Sequence, residues 1–254
     1  ASATCVYRSA PFARGAVVPW QLWAGADETP LTPARWPNAR LDDLSVFAPL
    51  QPDGSGPLAY SSKRSTLGTL VDAGTHIPGL AASGIDFTDT IVVLPFGTMG
   101  ANPEGCRVTR HGAGNATLDY VPPAGAKASN HANNPFFFEG HPKLLDAEAE
   151  WAFDGDSRTL LLWLPGCADP NAATVRGKVR STALNVTKSE VRLANLTLFG
   201  TTFGVVQAGL RLEGVTLAFP TFNKRTLGVA GPAGSAGETW LHIAKGRRFA
   251  MRDS

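Results

Sequence analysis

The chain has 254 residues, of which 43% are hydrophobic and 17% are charged, and its formal net charge is +2. No apolar run approaches the roughly 18 residues that a membrane-spanning helix needs, so we expect no membrane span. The small net charge also disfavours a nucleic-acid partner held by bulk charge. With 27 Gly and 19 Pro, the composition indicates a globular protein that is rich in turns.

Short apolar runs that alternate with polar residues predict strands throughout, and no long apolar helical pattern with caps is present. In chain order, such runs occupy 16–23, 90–94, 117–121 and 151–153. The last of these and 159–164 predict a hairpin, in which Asp154-Gly155 form the turn and Gly155 supplies a positive φ. The chain is therefore predicted to be all-β.

An internal repeat occupies the C-terminal third of the chain. Residues 189–203 (SEVRLANLTLFGTTF) and 208–222 (AGLRLEGVTLAFPTF) share six identities at an offset of 19. A weaker third copy predicts strands at 241–243 and 249–251, after a loop rich in Gly, Ala and Pro over 223–238. Short strands that recur with a period near 20 residues are typical of solenoids.

A parallel β-helix fits this repeat better than leucine-rich repeats, because no Asn follows a regular LxxLxL frame. Stacking in register would place Leu193 beneath Leu212, and Leu198 beneath Leu217. We therefore expect an N-terminal β region with antiparallel hairpins over 1–170, followed by parallel β-helix coils over 171–254. The last coil is expected to be incomplete at the C-terminus.

Two segments carry a resemblance to a known family. Trp36-Pro37-Asn38 within 31–40, and the stretch 139–165 with Glu150-Trp151 and Asp154, resemble right-handed parallel β-helix proteins of the pectin-lyase-like superfamily. In the second segment, Glu148-Ala149 stand where such proteins usually have Pro-Gly. The resemblance extends over about residues 17–47 and 136–254. It implies a right-handed parallel β-helix preceded by an antiparallel β region, in a superfamily with both carbohydrate-active and inactive structural members.

Two functions remain open. The first is an extracellular structural or adhesive β-helix glycoprotein, associated with cell-surface or cell-wall carbohydrate or with other extracellular chains. A stacking partner on the open C-terminal coil would belong to this role. The alternative is a polysaccharide-degrading enzyme, either a glycoside hydrolase or a polysaccharide lyase. The scarcity of catalytic candidates favours the first.

Candidate chemistry comes from acidic and basic residues. Glycoside hydrolysis requires two carboxylates, which the acidic group Asp146, Glu148, Glu150, Asp154 and Asp156 could in principle supply. Elimination by a lyase would need a basic residue and a cation such as Ca²⁺, and otherwise no cofactor or metal is expected. Arg192 and Arg211 lie one repeat apart and either bind an anionic sugar or form a solvent-facing ladder.

The charge distribution bears on the same question. Residues 1–175 contain 11 Lys and Arg against 17 Asp and Glu, a balance of −6. Residues 176–254 contain 12 against 4, a balance of +8, which together give +2. A basic C-terminal third can meet an acidic polysaccharide, or it can be a solvated face of the solenoid.

Secretion is indicated by the start Ala1-Ser2-Ala3-Thr4, which resembles a processed terminus, and by three glycosylation sequons. The sequons predict sugars at Asn185 and Asn195, and less strongly at Asn115. Asn195 could instead point inward in a ladder, but Gly214 stands at the aligned position, which favours an exposed Asn195. We therefore expect an extracellular location, at the cell surface or in the cell wall.

The three cysteines, Cys5, Cys106 and Cys167, allow three disulfide pairings. We favour Cys106–Cys167, because each follows a glycine in a predicted turn, where the backbone can adjust to the geometry of a bridge. Cys5 would then be free or bonded to another chain.

Overall fold

The computed structural model describes residues 5–38, 58–59, 65–74, 78–96, 102–123, 125–126, 135–180, 182–205, 209–220, 242–243 and 249–252. The described residues are all-β, as predicted, and their helical elements are three-residue 3-10 helices at Ala81–Ser83, Pro142–Leu144 and Pro165–Cys167. They divide into two units: unit 1 runs to Gly177 and unit 2 begins at Lys178. The sequence places this boundary slightly earlier, between residues 170 and 171.

The strands are numbered in chain order. Those of unit 1 are β1 (Tyr7–Arg8), β2 (Leu22–Ala24), β3 (Thr29–Pro33), β4 (Arg35–Trp36), β5 (Leu58–Ala59), β6 (Thr69–Val71), β7 (Ile91–Phe96), β8 (Asn102–Arg110), β9 (Thr117–Tyr120), β10 (Pro135–Glu139), β11 (Glu150–Asp154), β12 (Thr159–Trp163) and β13 (Val175–Gly177). Those of unit 2 are β14 (Thr182–Val186), β15 (Arg192–Phe199), β16 (Thr202–Val205), β17 (Leu210–Ala218), β18 (His242–Ile243) and β19 (Phe249–Arg252).

Unit 1 contains two sheets. The first has the order β1-β12-β11-β3-β2-β13, and its neighbours are antiparallel except for the parallel pair β3 and β11. The second has the order β4-β10-β7-β8-β9-β6, is antiparallel throughout, and has β5 paired with β10 beside this path. Alternate side chains of each sheet enter a buried apolar cluster, with Trp151 central to one and Phe138 to the other.

The predicted hairpin is confirmed, but its turn differs from the prediction. β11 and β12 pair antiparallel from Glu150↔Trp163 to Asp154↔Thr159. The Asp154 carboxylate accepts hydrogen bonds from the backbone N–H groups of Asp156 at 3.0 Å and Ser157 at 3.3 Å. The residue with positive φ is Arg158, at 56°, and not Gly155. A side-chain cap by aspartate therefore closes the turn that the sequence assigned to glycine.

The predicted Cys106–Cys167 disulfide is wrong. Cys167 is bonded to Cys5, with the Cα atoms 5.1 Å apart. Antiparallel pairing of Tyr7 with Leu162 brings Cys5 to the end of β12, where the 3-10 helix Pro165–Cys167 turns the chain back. Cys106 is a free, fully buried thiol within β8, so the glycine before it belongs to a strand and not to a turn.

Unit 2 consists of two parallel three-stranded sheets, with the orders β14-β16-β18 and β15-β17-β19. The predicted register is confirmed, because Leu193 pairs with Leu212 and Leu198 with Leu217. β18 and β19 occupy the predicted third copy, while Leu241 and the predicted loop 223–238 lie outside the described residues. The buried core of this unit comprises Val186, Phe203, Leu210, Leu212 and Val215.

Corners of the backbone recur with the same period as the sequence. Residues with positive φ in the first copy have counterparts 19 positions later, in the pairs Glu190/Gly209 (57° and 83°), Asn195/Gly214 (53° and 57°) and Gly200/Phe219 (63° and 51°). The left-handed conformation costs a residue with a Cβ atom roughly 1–2 kcal/mol, and glycine almost nothing. The chain path is therefore conserved between copies even where the residues at a corner differ.

Candidate functional site

The candidate site is the outer face of β15 and β17, which we call the arginine face. Strand alternation sends Leu212 into the core and its neighbours outward. Arg192 pairs in register with Arg211, and Thr197 with Thr216, and all four residues are exposed. Because neighbouring strands lie about 4.8 Å apart, the arginines and the threonines form two short rows that cross the strands.

One carboxylate belongs to the arginine face. Glu213 lies diagonally across from Arg192. Its Oε2 atom accepts hydrogen bonds from both Nε (2.9 Å) and Nη2 of the Arg192 guanidinium. The two side chains are 64% and 39% exposed, and exposed pairs of this kind contribute about 0–1 kcal/mol. No residue in the described part of the chain forms an ion pair with Arg211. The arginine face therefore holds a net positive charge, and its single internal ion pair is weak enough to exchange for a ligand carboxylate.

Glu150, the most buried of the predicted carboxylates, has a structural position. It is 2% exposed, and its carboxyl oxygens accept backbone N–H groups of Arg35 and Asp146, each at 3.3 Å. Burial outweighs these hydrogen bonds and raises the pKa of Glu150 to about 8. At neutral pH the group is mostly protonated, and it lies inside the protein where a polysaccharide has no access.

The other predicted carboxylates take part in local contacts. Asp154 accepts from Ser157 Oγ at 2.6 Å and from an Arg8 guanidinium nitrogen at 3.3 Å, and the hydrogen bonds from Ser157 and Arg8 lower its pKa. Glu148 accepts the backbone N–H of Gly166 at 3.2 Å, and Asp146 and Asp156 are exposed. The contacts of Asp154 and Glu148 hold turns and chain ends in place.

The structure brings together the two segments that carried the family resemblance. The backbone N–H of Ala34 donates to the Trp151 carbonyl at 2.7 Å, and Trp36 pairs with Phe138 in the second sheet. The backbone N–H of Arg35 also donates to the Glu150 carboxyl, so residues 34–36 contact both sheets of unit 1. Sequence reasoning missed this junction, and its only signal was the shared resemblance of the two distant segments.

All three predicted glycosylation sites lie at the surface. Asn115, Asn185 and Asn195 are exposed, and so are the threonines two positions later in each sequon. Asn195 points outward, as the absence of a matching Asn in the second copy indicated.

The described residues contain neither a candidate metal site nor a candidate membrane-spanning helix. No group of three or more His, Cys, Asp or Glu side chains there is arranged to hold a metal ion. Nor does that part of the chain include a helix with the length and apolar character of a membrane span.

Comparison with known proteins gives little guidance. No family model and no curated protein matches the chain. A solved structure described as a glycoside hydrolase aligns with a TM-score of 0.49 at 15% identity, covering 84% of this chain and 33% of that one. The present chain thus spans about a third of the length of that structure. The fold and the arginine face define an all-β protein with a repeated parallel unit and a positively charged outer surface.

Proposed function

We propose that the protein is an extracellular structural protein that associates with acidic polysaccharide through the arginine face, without cleaving it. The observation that carries this proposal is the exposed, in-register pair Arg192 and Arg211. Guanidinium groups bind carboxylates through two parallel hydrogen bonds, which makes arginine well suited to uronic acid units.

The proposed scaffold is a right-handed parallel β-helix formed by unit 2. Two parallel sheets that alternate along the chain, with an offset of 19 throughout β15–β17 and over most of β14–β16, support a solenoid of stacked coils. The strong preference for right-handed crossovers between parallel strands supports the hand. In such a scaffold the rows of the arginine face run along the solenoid axis, so a linear polymer laid along that axis would meet one arginine per coil.

Charge and compartment support the same proposal. Residues 176–254 carry a balance of +8, which would attract a polyanion at low ionic strength. The disulfide between Cys5 and Cys167 is typical of proteins from oxidising compartments, including secreted ones. A structural role is supported further by Glu148, Glu150 and Asp154, which are committed to internal hydrogen bonds.

The test compares binding to a polyuronate with binding to a neutral glucan. For Arg192→Ala/Arg211→Ala we expect polyuronate affinity to fall about tenfold or more, equivalent to ~1.4 kcal/mol. A matched control is Arg180→Ala/Lys188→Ala, which removes the same charge from exposed positions of unit 2. Raised salt should weaken wild-type binding.

Two results would contradict the proposal. Equal weakening in both double variants would show that overall charge, and not the arginine face, binds the polymer. Release of reducing or unsaturated sugar products by the purified chain would favour the alternative, a polysaccharide-degrading enzyme.

A further inference from the structure

We propose that residues 5–13 form an exchangeable strap, which in the reduced chain pairs with β12 of a second copy and builds a dimer by reciprocal exchange. The disulfide between Cys5 and Cys167 is the lock that fixes the strap on the copy that it occupies. Three features of unit 1 support this exchange: the sheet edge under the strap, the contacts that hold the strap, and the loop that connects it. None of them depends on polysaccharide binding.

The strap covers the edge of a sheet. β1 lies within the strap and is the outermost strand of the first sheet, where it pairs antiparallel with β12 at Tyr7↔Leu162 and Arg8↔Leu161. The leucines at 160–162 are each 7% exposed, so β12 is an apolar, buried strand. Without the strap, β12 would become an edge with a row of unpaired N–H and C=O groups. Such an edge pairs with any strand that fits it, and the strap of a second copy fits.

The contacts of the strap all reach one short region. The Ser9 N–H donates to the Leu160 carbonyl at 2.9 Å, and Ser9 Oγ accepts the Leu160 N–H at 3.0 Å. The Phe12 N–H donates to the Arg158 carbonyl at 2.8 Å, and Arg158 Nε donates to the Phe12 carbonyl at 3.0 Å. The Phe12 ring packs edge-on against Phe153, with the centroids 5.8 Å apart. These partners belong to β11, β12 and the turn between them, so a second copy presents the complete set.

A short exposed loop connects the strap to the rest of unit 1. Residues 14–17 are all exposed, whereas Pro19 beyond them is buried. The loop turns back through a hydrogen bond from the Ala16 N–H to the Ala13 carbonyl at 3.1 Å, and Gly15 has a φ of 80°. Straightening this turn breaks that hydrogen bond, removes the need for a positive φ, and carries the strap away from its own β12. Exchange of a segment across such a hinge loop is a low-cost route to dimers.

The disulfide determines when exchange takes place. While Cys5 and Cys167 of one chain are bonded to each other, the strap stays on its own β12. After reduction, the strap of the same chain competes with the straps of other chains, and its tether gives it an effective concentration in the mM range. Exchange therefore needs the reduced chain at a comparable concentration, or a hinge that disfavours the closed turn.

Locking the dimer is a two-electron oxidation, and its co-reactant is a small disulfide such as oxidised glutathione. The Cys5 thiolate attacks one sulfur of glutathione disulfide, and the first glutathione thiolate leaves. The Cys167 thiolate of the copy that holds the strap then attacks the Cys5 sulfur and displaces the second glutathione. Two protein thiols are oxidised and one glutathione disulfide is reduced, and the two protons pass from the protein thiols to the glutathione thiolates.

Mixed isotopes show which copy each strap occupies. Equal amounts of unlabelled and ¹⁵N-labelled full chain are reduced together at about 1 mM, which matches the effective concentration of the tethered strap, and are then reoxidised with glutathione. Trypsin releases the disulfide as joined peptides 1–8 and 159–176. In the isolated dimer we expect mixed pairs of labelled and unlabelled peptides to be as abundant as the two uniform pairs together. Uniform pairs alone, or Cys5–Cys5 bridges between copies, would overturn the proposal.

A hinge variant tests the route of exchange. A Cβ atom at Gly15 meets nothing within 4 Å, so Gly15→Ala acts only by disfavouring the positive φ of the closed turn, by about tenfold. Each dimer opens two hinges, so the dimerisation constant of the reduced chain should rise about 100-fold in analytical ultracentrifugation.

The matched control is Gly25→Ala in the turn between β2 and β3. Gly25 has a φ of 78° and an equally open surrounding, but its turn is the same in the closed and the exchanged forms. We expect this variant to dimerise as the wild type does. An equal rise in both variants would assign the dimer to general destabilisation of unit 1 and overturn the exchange, and so would the absence of a rise in Gly15→Ala.

Discussion

Unit 1 and unit 2 are both all-β, but different kinds of contact hold them together. Unit 1 joins residues that are far apart in the chain, as in the disulfide between Cys5 and Cys167 with a separation of 162. Unit 2 pairs β15 with β17 at an offset of 19 residues, around a small core that includes Phe203. The first unit should therefore depend on the closure of long loops, and the second on pairing between neighbouring copies of the repeat.

The largest expected effect is on unit 1, through Cys5→Ser. In the chain-entropy model, a bridge that closes a loop of this length stabilises by about 5 kcal/mol. We expect urea unfolding of the full chain to show a loss of that order in the unit 1 transition. Wild-type protein in reductant serves as the control and should match the variant. Equal stability of oxidised wild type and Cys5→Ser would contradict the role of long-range closure.

The next effect is on unit 2, through Phe203→Ala. Phe203 is fully buried, and truncation of a core Phe costs about 3–5 kcal/mol, which a core this small cannot absorb. Hydrogen exchange should show that amides of β15 and β17 lose protection while those of β11 and β12 keep it. The matched variant Phe138→Ala, also fully buried, should do the reverse. Equal loss in both units for either variant would show that they are not separate.

Two further comparisons sharpen the account of unit 1, beginning with its pH dependence. Glu150 has a pKa of about 8 in the folded protein, against 4.5 for an ordinary glutamate. The folded state therefore binds more protons between these values, so stability is full below 4.5 and falls as pH rises through 8. The two values differ by about 3.5, so at ~1.4 kcal/mol per tenfold change in the ionisation constant we expect a loss of about 5 kcal/mol across this pH range.

The variant Glu150→Gln should flatten this pH dependence of the unfolding free energy, even if it is less stable at low pH. The exposed Glu148→Gln is the control and should retain it. A slope that persists in Glu150→Gln would assign the effect to another group.

The smallest effect concerns the turn before β11. Ala149 has a φ of 64°, and the left-handed conformation favours glycine. Ala149→Gly should raise stability by up to about 1 kcal/mol, after allowing for the greater freedom of glycine in the unfolded chain. Ala152→Gly, at a buried position within β11, should lower it. If thermal unfolding shows that both variants are destabilised equally, the turn is not strained.

The contrast between the units also explains what the sequence could predict. In unit 2 the offset of the sequence repeat equals the offset between paired residues of β15 and β17. The pairing of Leu193 with Leu212 therefore follows from aligning the two copies. In unit 1 the hairpin of β11 and β12 was predictable because its partners are neighbours in the chain. The parallel pairing of β3 with β11 and the partner of Cys5 leave no local pattern.

The site shows the same division. The pairing of Arg192 with Arg211 follows from their identity at the repeat offset. The burial of Glu150 does not, because one of its hydrogen-bond donors is the backbone N–H of Arg35, which lies 115 residues earlier in the chain.

Cross-linking tests most directly whether the repeat forms stacked coils with parallel strands in register. Thr197 and Thr216 are exposed partners on neighbouring strands, where Cα atoms about 4.8 Å apart allow a disulfide. We predict that Thr197→Cys/Thr216→Cys oxidises readily, while Thr197→Cys/Arg211→Cys, five positions out of register, does not. A bridge in the second variant and none in the first would contradict the stacked register on which the arginine face depends.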